Sequence, residues 1–163
     1  MKTSNNHVLI TGGSSGIGFA LAKKFLEEDN QITITGRNEN TLVSAQKKLP
    51  GIEIIKSGLA LVPKEAAPVY CASKSGMHIL TKSFRWQLEK TDVRIFEVLP
   101  SLVDTPMTTG RGKGKIAPER LVEEFWKGFK NDRYEIMIEK VKLLHMINRV
   151  FPWIAEKVMR KRL

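Results

Sequence analysis

Tyr70 and Lys74 stand four residues apart in Tyr70-Cys71-Ala72-Ser73-Lys74, so on a helix both fall on one face. A tyrosine hydroxyl titrates near pH ~10 and moves no proton at neutral pH unless a cation stabilises its phenolate. Lys74, one turn on, supplies that cation. Upstream, the apolar run Val8-Leu9-Ile10 leads into Thr11-Gly12-Gly13-Ser14-Ser15-Gly16-Ile17-Gly18. A Gly-rich turn from strand to helix lets the backbone approach a pyrophosphate, whose charge meets free N–H groups and the positive end of the helix dipole. In this order the two signals point to nicotinamide redox chemistry. Each has a plainer reading alone, the glycines as a packing device and the Tyr/Lys pair as surface residues. The strand before the glycines and the order of the two motifs favour the chemical one.

The residues after the second strand bear on the nucleotide. A site for NAD places a carboxylate there to bind the ribose 2′-hydroxyl, whereas this chain has Gly36 and then Arg37. A guanidinium fork suits a 2′-phosphate, so NADP(H) is the expected cofactor. An arginine at a strand end is also a common surface residue, and that reading stays open. His7, His78 and His145 are dispersed without metal-ligand spacing, and no metal is expected. Cys71 reads as a small packing residue.

These motifs resemble the short-chain dehydrogenase/reductase family, whose signature is Thr-Gly-x-x-x-Gly-x-Gly followed downstream by Tyr-x-x-x-Lys. The resemblance implies a Rossmann-like fold and hydride transfer between a nicotinamide and a carbonyl or alcohol substrate. By it, Thr11, Gly12, Ser14, Ser15, Gly16, Ile17 and Gly18 hold the cofactor. Tyr70 is the acid/base, Lys74 lowers its pKa and binds the nicotinamide ribose, and Ser57, 13 residues before Tyr70, orients the substrate. Pro100-Ser101-Leu102-Val103-Asp104-Thr105 is similar to the family's Pro-Gly-x-Val/Ile-x-Thr, which assigns Pro100, Val103 and Thr105 to the nicotinamide carboxamide. Ser101 replaces the glycine. A larger departure lies between Lys56 and Ser57, where the family has a helix, a strand ending in Asn-Asn-Ala-Gly, a long helix with a catalytic asparagine and a further strand. The expected consequence is impaired turnover; a non-catalytic nucleotide-binding remnant is the alternative.

Alternating strands and helices must position these residues, an α/β pattern with a doubly wound parallel sheet. Strands are expected at 8–10, 32–35, 52–55, 93–99 and 134–138. Helices are expected behind the glycines to about Asp29, over 41–48, and at 118–129 behind Pro118. In the helix carrying Tyr70, the apolar positions Met77, Leu80, Phe84 and Leu88 recur at threes and fours and predict a face packed on the sheet. Residues 100–116 predict a mobile loop, with Gly110, Gly112 and Gly114 among basic residues. To close the sheet without the missing strands, the third strand is expected beside the first, giving the order 2-1-3-4-5; the alternative keeps it at the outer edge and leaves a gap.

The 163 residues, 42% of them hydrophobic, suit a single shortened domain over 1–163 with a basic helical tail from about 140. One cysteine excludes an intrachain disulfide, and neither a signal peptide nor a spanning segment is evident, so a cytoplasmic protein is expected. The formal charge of +10 is concentrated late: residues 111–163 hold 14 Lys/Arg against 7 Asp/Glu. That excess fits a solvated face, an anionic cofactor, or peripheral contact of the tail with a membrane surface. No nucleic-acid-binding pattern accompanies it. The expected partner is a small carbonyl or alcohol, and an oligomer is compatible with the composition.

Overall fold

The structure, a computed structural model, describes residues 1–56, 67–110 and 113–160. The chain runs β1 (His7–Thr11), α1 (Gly16–Glu27), β2 (Gln31–Gly36), α2 (Glu39–Lys48) and β3 (Glu53–Lys56). It continues with α3 (Ala67–Gln87), β4 (Glu97–Leu99), a 3₁₀ turn (Pro106–Thr108), α4 (Pro118–Lys130), β5 (Glu135–Met137), α5 (Lys140–Val150) and α6 (Pro152–Arg160). The expected α/β alternation is therefore present, as parallel strands with helical crossovers. Asn38 starts α2 by accepting a hydrogen bond from the Thr41 amide at 3.3 Å. The expected strand over 93–99 is shorter, and Val93 is exposed.

The strand order corrects the expectation. β1 pairs with β2 and β2 with β3, both parallel, so the first sheet runs β1-β2-β3 and β3 lies beyond β2 instead of beside β1. The cause is local. Asn38 begins α2 two residues after β2, and Leu42, Ala45, Leu49 and Ile52 bury that helix and the entry to β3 against the sheet. α2 packs on the same face as α1, whose Leu21, Ala22 and Phe25 are in the core, and a second right-handed crossover on that face carries the chain onward past β2. β4 and β5 form a separate parallel pair, with Val98 opposite Ile136. Among the described residues, β1 has no partner on its other edge.

One face of the first sheet, with Ile10, Ile32 and Ile34, is buried under α1 and α2. On the opposite face Leu9 is 61% and Ile55 52% exposed. Polar side chains span that face nearby: His7 Nε2 lies 2.9 Å from Thr33 Oγ1, whose hydroxyl donates to Glu53 at 3.0 Å.

The two sheets share one core through α1 and α4. Phe25 meets Phe125, Trp126 and Phe129 edge-on at centroid distances of 5.8, 5.0 and 5.1 Å, and the ring of Phe96, just before β4, lies tilted at 5.0 Å from Phe129. Gly128 lets α4 approach β5, for a Cβ there would lie 2.8 Å from Ile136 Cγ1.

A second correction concerns α3. Of the expected packing face, Met77, Leu80 and Phe84 are 51%, 42% and 42% exposed, and Leu88 is half-buried. The helix docks instead through polar residues on β4 and β5. His78 Nδ1 is 2.7 Å from Glu97 Oε2, Thr81 donates to the same oxygen at 3.2 Å, and Arg85 donates to Glu135 at 2.8 Å and to the carbonyls of Ile95 and Tyr134. Periodicity identifies an apolar face but not what lies opposite it.

Candidate active site

The glycine turn is shaped by close approaches. β1 ends at Thr11, Gly12 takes φ +70°, and the Gly13 amide donates to Thr35 O at 3.1 Å. A Cβ on Gly13 would lie 2.5 Å from Ile34 Cγ2, and one on Gly18 would collide with the carbonyl oxygen of Gly12. These two glycines let α1 start tightly against β1 and β2. Above Gly12 a Cβ would meet nothing within 4 Å, so its backbone faces open space at the N-terminus of α1. Ser15 is the extended N-cap residue and makes no side-chain cap bond, and no acidic side chain occupies the first turn. Such a terminus favours an anion.

Two other candidate segments converge on this turn. Ser14 Oγ lies 3.3 Å from the position of a Cβ on Gly36, at the end of β2, and the exposed Arg37 follows directly. Thr105 Cγ2 lies 3.1 Å from the position of a Cβ on Gly16, so the segment after β4 rests against the glycines. That segment is tied at both ends. Val103 is buried and bridges Ile116, the Asp104 amide donates to Ile116 O at 2.8 Å, and Thr108 Oγ1 donates to Val103 O at 2.6 Å. Ser101 Oγ, next to Pro100, is buried without a hydrogen-bond partner among the described residues. The open amides at Gly12, the approachable helix terminus and this orphaned hydroxyl fit a group with phosphate and amide functions.

Tyr70 and Lys74 lie one turn apart in the first part of α3, and Lys74 is exposed. The side chain of Tyr70, and Ser57 altogether, lie outside the described residues. Within the expected loop, Pro106–Thr108 form a 3₁₀ turn and Val103 bridges Ile116, while residues 111–112 fall outside the described range.

Sequence spacing gave no sign of the polar seam under α3. The ligand atoms of His78, Glu97 and Glu135 all lie within 4.8 Å of one another. Arg85, 2.8 Å from Glu135 and 3.8 Å from Glu97, already supplies positive charge there, with Lys82 3.8 Å from Glu135. The seam positions the helix that carries Tyr70 and Lys74. Its residues come from segments 19 to 57 positions apart, each unremarkable alone.

A model of the short chain dehydrogenase family matches residues 6–55 and 51–115. The chain belongs to the short chain dehydrogenase family. It is an enzyme of the short chain dehydrogenase type, and the family match breaks at residues 51–55, at β3. It is 28% identical to the uncharacterized oxidoreductase DltE of Bacillus subtilis (strain 168) over 240 positions, spanning 91% of this chain and 94% of that protein. A 163-residue chain cannot fill such an alignment, so part of the relative stands opposite no residue here. In fold the chain is similar to a short chain dehydrogenase from Burkholderia cenocepacia J2315 in complex with NADP, with a TM-score of 0.70 at 15% identity over 96% of this chain and 98% of that one. It is also similar to a short chain dehydrogenase/reductase from Burkholderia phymatum in complex with NAD, with a TM-score of 0.67 at 14% identity over 92% and 96%. No helix among the described residues is long and apolar enough to cross a membrane.

Proposed function

We propose that this chain binds NADP(H) and reduces a small carbonyl compound, or oxidises the corresponding alcohol, with a turnover limited by its shortened sheet. The observation that carries the reading is the meeting of three segments at one turn, Gly36 with Ser14 and Thr105 with Gly16. In this reading Thr11, Gly12, Ser14, Ser15, Gly16, Ile17 and Gly18 hold the pyrophosphate end of the cofactor, Arg37 pairs with the ribose 2′-phosphate, and Pro100, Val103 and Thr105 hold the carboxamide. When bound, the nicotinamide supplies or accepts the hydride at the substrate carbon. Tyr70 gives its hydroxyl proton to the carbonyl oxygen during reduction and takes it back during oxidation. Lys74 stabilises the phenolate that Tyr70 becomes and binds the ribose, and Ser57 donates a hydrogen bond that orients the substrate oxygen.

The test titrates NADPH and NADH by fluorescence into the unmutated chain and into Arg37→Ala, then follows cofactor oxidation on aldehydes and ketones in Tyr70→Phe. NADPH should bind more tightly, and Arg37→Ala should weaken it by about 1.5–3 kcal/mol with little effect on NADH. Tyr70→Phe should keep cofactor affinity and lose about 10²-fold or more of whatever turnover exists. Equal affinities for the two cofactors would overturn the NADP(H) assignment. Full turnover in Tyr70→Phe would move the chemistry to another group, and binding without turnover in the unmutated chain would favour the binding-only alternative.

A further inference from the structure

The last two helices form a hairpin apart from the core. Pro152 starts α6 directly after Phe151, the Phe151 amide donates to Ile147 O at 2.7 Å, and Ala155 is buried. Among the described side chains, none of either helix joins the main core cluster. Val141, Leu144 and Ile147, at intervals of three, are half-buried on one side of α5, and Ile154 is half-buried on α6. A second apolar stripe remains uncovered. Leu143, Met146 and Val150, on an adjacent face of α5, are 54%, 59% and 60% exposed, and Phe151 and Trp153 continue the patch at the corner with 49% and 65% exposure.

The charges around this stripe identify what it fits. Residues 140–163 hold seven Lys/Arg against one Glu. At 100° per residue, Lys142 and Arg149 flank Met146 on one side of the stripe and Lys140 flanks Leu143 on the other. All three are exposed. Lys142 also ties the hairpin to α4 through Glu124 at 3.4 Å, while Lys140, Arg149 and Lys157 make no ion pair among the described residues. A second copy of the hairpin would bring like charges together. A layer with an apolar interior and an anionic surface satisfies both features, and tryptophan at the corner suits the boundary between them.

We infer that the α5–α6 hairpin docks this enzyme on an anionic lipid bilayer, with Leu143, Met146, Val150, Phe151 and Trp153 entering the headgroup boundary and Lys140, Arg149 and Lys157 meeting lipid phosphates. The helix lies in the plane of the surface and does not cross it. Binding is therefore reversible and sensitive to lipid charge and salt, because screening shortens from ~10 Å at 0.1 M to ~3 Å at 1 M.

The experiment is co-sedimentation of the full chain with vesicles of phosphatidylcholine alone and of phosphatidylcholine with about a third phosphatidylglycerol, at low and high salt. Two variants accompany it: Leu143→Ser/Met146→Ser/Val150→Ser, which removes apolar area, and Lys140→Gln/Arg149→Gln, which removes charge. All five positions are exposed, and circular dichroism verifies that both variants keep the helical content of the parent. The parent should pellet with the anionic vesicles and be largely released by high salt. The serine variant should lose about tenfold or more in partitioning, and the glutamine variant should lose its preference for anionic lipid. Equal pelleting with both lipids, no pelleting with the anionic one, or unchanged pelleting of the serine variant would overturn the inference. So would a dimer in solution that the serine substitutions convert to monomer, because the stripe would then belong to a second copy.

Discussion

A single methyl group separates the glycines that shape the site from those that do not. Gly18 has no room for one, since a Cβ would strike the Gly12 carbonyl oxygen, so Gly18→Ala should destabilise by about 1–3 kcal/mol and weaken nucleotide binding together. Gly76, within α3, has nothing within 4 Å of its Cβ position, and Gly76→Ala should stabilise the chain by roughly 0.5–1 kcal/mol. Denaturant titration of both variants with and without NADPH checks the contrast; equal effects would mean that Gly18 serves flexibility and not fit. Thr11 to Gly18 could be read from the sequence because a glycine turn is local, its strand and helix lying on either side. Ser101 shows the opposite case. It is visible in sequence as a substitution for glycine, but its orphaned hydroxyl depends on what folds around it.

At the level of helices, α1 and α4 hold the two sheets in one body, and Phe25 is where they meet. Phe25→Ala should cost about 3–5 kcal/mol, whereas Trp86→Ala, at a side chain 75% exposed on α3, should stay within about 0.5 kcal/mol. Thermal melts decide between them. A Phe25 variant that melts like the parent would show that α1 and α4 do not share the core. The contact between α4 and α5 should respond to acid. Burial pushes the Glu124 carboxyl up, but the hydrogen bond from Lys142 and the charges of Lys142, Lys127 and Arg120 outweigh it and hold the carboxyl below its ordinary value. A group lowered on folding contributes stability above the ordinary carboxylate value, and that contribution is lost as pH falls through the lowered folded value. Denaturation midpoints should therefore fall on acidification, and Glu124→Gln should remove part of that fall; an unchanged pH profile would show that the Lys142 contact contributes nothing measurable. The expected helices over 41–48 and 118–129 were legible because turn residues and apolar spacing fix them locally. The docking of α3 was not, because His78, Glu97 and Glu135 meet only after the chain has folded.

For the molecule as a whole, the break in the family match at residues 51–55 and the split into β1-β2-β3 and β4-β5 describe one event. The α/β class was legible because each βα unit carries its own pattern. The strand order was not, because the sequence does not say which of two sheet edges stays empty. A displacement of about 1 Å in a reacting geometry costs roughly a hundredfold in rate. A version with a family-like segment restored between Lys56 and Ser57 should therefore turn over at least about a hundredfold faster than this chain on a panel of aldehydes and ketones. Equal rates would show that the shortened sheet holds the site as well as a full one. The edge of β1 that has no partner among the described residues leaves its own signature in solvent exchange. β2 is bonded on both sides, so its amides from Gln31 to Gly36 should exchange slowly as a continuous block. Along His7 to Thr11, amides aimed at β2 alternate with amides on the edge that has no strand partner among the described residues. Deuterium should therefore enter β1 as a two-residue comb, fast and slow by turns, so that the strand leading into the glycine turn reports by its exchange rates which of its edges is paired.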